Sequence, residues 1–152
     1  IRRLLSEGRQ DITPQEELSW FVNDRKEDIE TNILPALQKN KVVIMDRYYF
    51  STAAYQGALG LDPNQIRLDN EKFAPIPDRV LIFLNSAEAC LERIESSRDQ
   101  KSAFENLDYL NKVQQIFKGF NGPNIRFIES VGSISDIHEK VLAEIDDLFD
   151  FN

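Results

Sequence analysis

"VVIMDRYYFSTAAYQG", residues 42–57, changes character at Asp46. Val42–Met45 is a continuous apolar run without polar alternation, the pattern of a short strand in a parallel sheet buried on both faces. It runs straight into Asp46, Arg47, two tyrosines, a phenylalanine and a serine. In open α/β sheets, ligands bind beyond the carboxyl ends of the strands. The abrupt turn to polar and aromatic groups therefore marks the expected crevice.

The segments on either side agree with that reading. Upstream, Thr13-Pro14-Gln15-Glu16 combines an N-cap threonine, a proline at the first helical position and a glutamate three residues after the cap, which predicts a helix start. Leu18, Phe21, Val22, Ile29 and Ile33 continue it as an apolar stripe. Pro35 is expected to kink the helix and Lys39-Asn40-Lys41 to end it. Downstream, residues 50–58 read as helix and 57–77 as a loop-rich region. Val80–Leu84 reads as a second fully buried strand, with a helix capped by Asn85 or Ser86 running to about Ile94. Residues 95–102 contain no apolar side chain and read as an exposed loop. A helix over about 103–117, a strand at 125–128 and a last helix burying Ile134, Ile137, Val141, Ile145, Leu148 and Phe149 complete the chain. Apolar strands alternating with helices predict an α/β fold, a mostly parallel sheet flanked by helices.

Composition narrows the chemistry. The 152 residues carry a net charge of −8, so there is no broad cationic face for nucleic acid or an anionic membrane. An anionic ligand must then be met by a few placed arginines. Cys90 is the only cysteine and His138 the only histidine, which excludes an internal disulfide, a cysteine metal cluster and most histidine-based sites. No apolar run approaches the roughly 20 residues needed to span a bilayer. The expected setting is the cytoplasm.

Three groups of residues are candidates for function. Arg25 shares the stripe of Leu18, Phe21, Val22 and Ile29, and an inward charge costs several kcal/mol unless it is paired. Either it snorkels or meets a carboxylate, or Phe21 and Arg25, one turn apart, line a pocket as a stacking ring and a fork of donors. Arg47, after Asp46 at the expected strand end, would aim a bidentate donor into the crevice. Ser51, Tyr55 and Gln56 share a face of the next helix, though Tyr55 also reads as half-core and the other two as surface. Arg93, Arg98 and Lys101 bracket the polar loop, which is either a solvated face or a lid that brings cations to a phosphate chain.

Taken in order, "FVNDR" (21–25), "ILPAL" (33–37), "VVIMDRYYFSTAAYQ" (42–56), "PDRVLIFL" (77–84) and the "LERI…R" that opens the polar loop resemble the thymidylate kinase family of P-loop nucleoside-monophosphate kinases. The resemblance implies ATP-dependent phosphorylation of dTMP to dTDP for dTTP synthesis, assisted by Mg2+. Phe21 would stack on the pyrimidine and Arg25 bond its carbonyl edge. Arg47 would grip the acceptor phosphate, with Asp46 near the magnesium region and at most an indirect ligand. Ser51 and Gln56 would help hold the nucleotide, and Tyr55 would crowd the sugar against a 2′-hydroxyl. Arg93 and Arg98 would serve the ATP side, Arg98 facing transition-state charge, with Lys101 as helper. A homodimer and one kinase domain over 1–152, with a lid at about 95–104, are also implied.

One signature of that superfamily does not occur in these residues: no G-x-x-x-x-G-K-[ST] stretch is present, and nothing else supplies its backbone cradle, lysine and hydroxyl. The expectation is a partial domain lacking the N-terminal strand–P-loop–helix unit, inactive by itself. Two other readings stay open, a related deoxynucleotide kinase with another acceptor and a non-catalytic kinase-like nucleotide-binding protein.

Overall fold

The computed structural model describes residues 12–86, 88–90 and 107–149, which fall into two compact units divided between Ile76 and Pro77. In the first unit, helix α1 spans Pro14–Asp28, and its start is the predicted capping box. Thr13 accepts from the Glu16 backbone, while the Glu16 carboxylate accepts from the Thr13 N–H and hydroxyl at 2.9 and 2.7 Å. Before Pro35 the helix widens into a π segment, Ile29–Ile33, and then tightens into α2, Leu34–Leu37. A proline ring inside a helix clashes with the carbonyl four residues back, and the wider coil just ahead of it, with Leu34 N–H on Ile29 O, accommodates that. Asn40 ends the helix in a left-handed conformation (φ 52°). Its N–H meets Leu37 O and that of Lys41 meets Ala36 O, the Schellman pairing.

Val42–Met45 departs from expectation. These residues form no strand, and Ile44 is 90% exposed and Val42 64%. A fully buried strand requires a ladder on each side, and no described residue provides one here. Burial resumes at Tyr49 and Phe50, which open α3, Tyr49–Ala58.

A second departure follows immediately. The stretch read as loop contains helix α4, Pro63–Glu71. Asp62 caps it, accepting from the N–H groups of Asn64 and Gln65 at 2.9 and 3.2 Å, with proline at the first turn. That is the cap-plus-proline device of Thr13-Pro14 repeated; the glycines and Pro63 had suggested a turn.

The second unit holds strands β1, Val80–Leu84, and β2, Ile125–Glu129, paired in parallel from Val80↔Ile125 to Leu84↔Glu129. Both strands lie where expected, but neither is buried throughout, since Phe83 and Phe127 stay about half exposed. Ser86 caps the helical residues 88–90 through its hydroxyl, which accepts from Ala89 N–H at 3.0 Å. Helix α5, Leu107–Gly119, precedes β2. Helix α6, Ile134–Ile145, starts on a capping box of Ser133 and Asp136 and ends in a 3-10 turn, Asp146–Leu148. None of the residues expected to be buried along that helix is so: Ile134 and Leu148 are exposed, and Ile137, Val141, Ile145 and Phe149 are only half-buried. Arg126 pairs with Glu144 at 3.1 Å. The parallel sheet among helices makes the fold α/β.

Candidate active site

Arg25 enters from the last turn of α1, is partly buried, and neither snorkels out nor meets a carboxylate among the described residues. Its Nη1 donates to Asn70 Oδ1 of α4 at 2.7 Å and its Nη2 to Thr52 Oγ1 of α3 at 2.8 Å. The guanidinium also lies 5.5 Å over the Tyr48 ring. Burial pushes it below its ordinary range and pushes the Tyr48 hydroxyl up, the latter partly offset by Arg25 itself. Two neutral acceptors orient this cation without cancelling it. A buried charge treated in this way remains available to a ligand's acceptor atom.

Arg47 stands on a left-handed turn (φ 67°), a conformation that is costly for a side chain and collects at functional sites. Its side chain is exposed. Nη2 donates to Tyr55 Oη at 3.2 Å, and the guanidinium lies 5.0 Å over the same ring. The structure thus joins Arg47 to Tyr55, three residues beyond Thr52 on α3, while Tyr48, next in sequence to Arg47, carries Arg25. Asp46 is exposed. Ser51 is half-buried on the first turn of α3, and Phe21 is half-buried one helical turn before Arg25.

Gln56 lies elsewhere than on an open site face. It is 1% exposed, and its amide donates to Glu17 Oε2 at 2.9 Å, across α3 and α1. Its own oxygen has no hydrogen-bond partner among the described residues. Arg93, Arg98, Lys101 and the segment at about 95–104 lie outside the described residues.

Sequence reasoning missed Tyr48, Thr52, Asn70 and Glu17. Thr52 lies within the helix expected over 50–58, three residues before Tyr55, and was legible as its neighbour there. Asn70 was hidden because α4 itself was read as loop. A cleft of about 320 Å³ lies between α1 and α4, bordered by Leu18, Val22, Ile66 and Asn70; Phe21, Arg25 and Arg47 do not line it.

No three histidine, cysteine or acidic side chains among the described residues gather as a metal site. Asp46 offers one exposed carboxylate, and Mg2+ typically takes one or two carboxylates beside waters and phosphate oxygens. The residues present therefore fit an outer contribution to such an ion and no more. None of the described helices is long and apolar enough to cross a membrane.

Comparison with known proteins decides the family. The sequence profile of thymidylate kinases matches residues 1–141. The chain belongs to the thymidylate kinase family. It is therefore a phosphotransferase of the nucleoside-monophosphate kinase class. It is 40% identical over 149 residues to thymidylate kinase from Desulfotalea psychrophila, covering 97% of this chain and 73% of that one. It is 42% identical over 135 residues to a probable thymidylate kinase from Archaeoglobus fulgidus, covering 89% and 68%. A third member, from Brachyspira hyodysenteriae, is 40% identical over 135 residues and is covered to 66%. The chain thus spans roughly two thirds to three quarters of the length of these thymidylate kinases.

Proposed function

We propose that the intact protein transfers the terminal phosphoryl group of ATP to dTMP, forming dTDP and ADP on the route to dTTP. The observation that carries this reading is Arg25, a partly buried guanidinium oriented by Thr52 and Asn70 and paired with no carboxylate among the described residues. Such a donor suits a carbonyl oxygen, and a thymine edge offers one. Phe21, one turn earlier on α1, is within reach of a base that Arg25 holds.

Arg47 takes the acceptor phosphate. Phosphoryl transfer depends on positioning and charge stabilisation more than on covalent chemistry, and an exposed arginine steadied by the Tyr55 hydroxyl and ring is equipped for both. Tyr55, with its hydroxyl on Arg47, stands beside the sugar and disfavours a 2′-hydroxyl, while Ser51 adds a hydroxyl on the same helix. Gln56 serves through Glu17 and the helix pairing, since its amide is directed there. Mg2+, when bound, would offset phosphate charge, with Asp46 in its outer surroundings. Arg93, Arg98 and Lys101 act from the ATP side, the latter two on a lid at about 95–104.

The protein works in the cytoplasm as a homodimer. Trp20, Leu34 and Leu37, each about two fifths exposed along α1 and α2, are apolar enough to support pairing through helices. Light scattering of the intact protein tests this, and a monomer at micromolar concentration would exclude it.

The reaction is tested by following ADP release from the intact protein with dTMP, dUMP, dCMP or dGMP as acceptor. A clear preference for dTMP is expected. Preference for a purine nucleotide would remove the roles given to Phe21 and Arg25, and no release with any acceptor would favour a non-catalytic nucleotide-binding protein.

A further inference from the structure

Asn70 is 1% exposed and lies on the last turn of α4. Both ends of its amide are engaged. Oδ1 accepts from Arg25 at 2.7 Å, and Nδ2 donates to Ile66 O, one turn back, at 2.7 Å. The second bond fixes which way the amide faces, because a flipped amide would set its NH2 against the guanidinium and its oxygen against a carbonyl. Asn70 therefore presents an oxygen to Arg25 and nothing else. The backbone of α4 enforces that choice.

Arg25 is held on its other side by Thr52, again a neutral acceptor. An arginine partnered by a carboxylate is oriented as well as this, but much of its field is cancelled by the partner. An arginine partnered only by an amide and a hydroxyl keeps its field. The difference matters for reading a pyrimidine, where a carbonyl must be preferred to the amino group of cytosine.

We infer that Asn70 is a positioning residue for base recognition, holding Arg25 as an oriented but uncancelled cation that favours a carbonyl-bearing pyrimidine edge over an amino-bearing one. This rests on the reading of Arg25 given under the proposed function. Asn70 touches no ligand itself and acts through Arg25.

The test is a double-mutant cycle on the intact protein, reading dTMP and dCMP affinity by calorimetry for wild type, Asn70→Ala, Arg25→Ala and the double variant. Asn70→Ala should weaken dTMP binding about tenfold and shrink the preference for dTMP over dCMP, but change affinity less than twofold once Arg25 is gone. Asn70→Asp, nearly the same size, should also lose preference, because its carboxylate cancels the cation that the amide leaves intact; it carries the test if the alanine variant does not fold. Equal losses with and without Arg25, or an unchanged base preference in Asn70→Asp, would overturn the inference. If Arg25→Ala itself leaves dTMP affinity untouched, the reading of Arg25 as the base contact falls instead.

Discussion

Gln56 donates a 2.9 Å hydrogen bond to Glu17, and both side chains are all but sealed from solvent, at 1% and 2% exposure. The bond ties α3 to α1, the helices that carry Tyr55 and Arg25. Leaving a buried amide without its acceptor costs about 1–3 kcal/mol. Glu17→Ala should destabilise the protein by about that amount, seen as a lower midpoint in urea. Glu17→Gln keeps an acceptor oxygen in place and should cost less. Equal losses from the two variants would mean that the acceptor oxygen and packing retained by glutamine contribute nothing to stability.

Arg47 separates stability from function. A left-handed backbone costs an L-residue roughly 1–2 kcal/mol, and glycine avoids it. Arg47→Gly should therefore be more stable than Arg47→Ala by about 1 kcal/mol, while both lose most dTMP phosphorylation. An Arg47→Gly protein that is no more stable than Arg47→Ala would show that the turn carries no strain.

The Asp62 cap, invisible as a helix signal among its glycine neighbours, should prove as important as the predicted one at Thr13. Asp62→Ala should cost about 0.5–2 kcal/mol and Asp62→Ser much less. Because α4 also carries Asn70, the alanine variant should weaken dTMP affinity alongside stability. Unaltered affinity despite a melted first turn would show that Asn70 is held independently of the cap.

Acid should loosen the helix starts. The Thr13 N–H and hydroxyl hold the Glu16 carboxyl below its ordinary value of 4.5, and Ser133 does the same for Asp136. Each folded value lies below the unfolded one, so the stabilisation is present above the unfolded pKa and disappears as pH falls through the folded one. Glu16→Gln should be less stable than wild type near pH 7, with the gap closing as pH falls through the lowered folded value. A gap that stays constant across that range would exclude the ionised cap as its source.

Much of this was readable in advance, for identifiable reasons. The Thr13 cap, the Pro35 interruption and the strand at Val80 depend on local chemistry. What failed depends on partners. Val42–Met45 has the composition of a core strand, but a ladder is a property of two segments, and composition cannot supply the second. Asp62-Pro63 is ambiguous between turn and helix start until the following residues are seen to pack, as Ile66 and Asn70 do. Gln56 read as a ligand contact because its polarity was visible and its buried acceptor, 39 positions earlier, was not.

The widened coil at Ile29–Ile33 holds one residue more than a regular spiral would need over the same rise. Each residue of an α-helix turns the chain by about 100°, and the wider turn takes up that surplus locally instead of passing it to the residues that follow. Losing a single codon there would return the segment to a regular coil and leave Phe21, Arg25, Leu34 and Leu37 facing as they do now. Such a deletion would spare both ends of the rod and remove only the slack that accommodates the Pro35 ring.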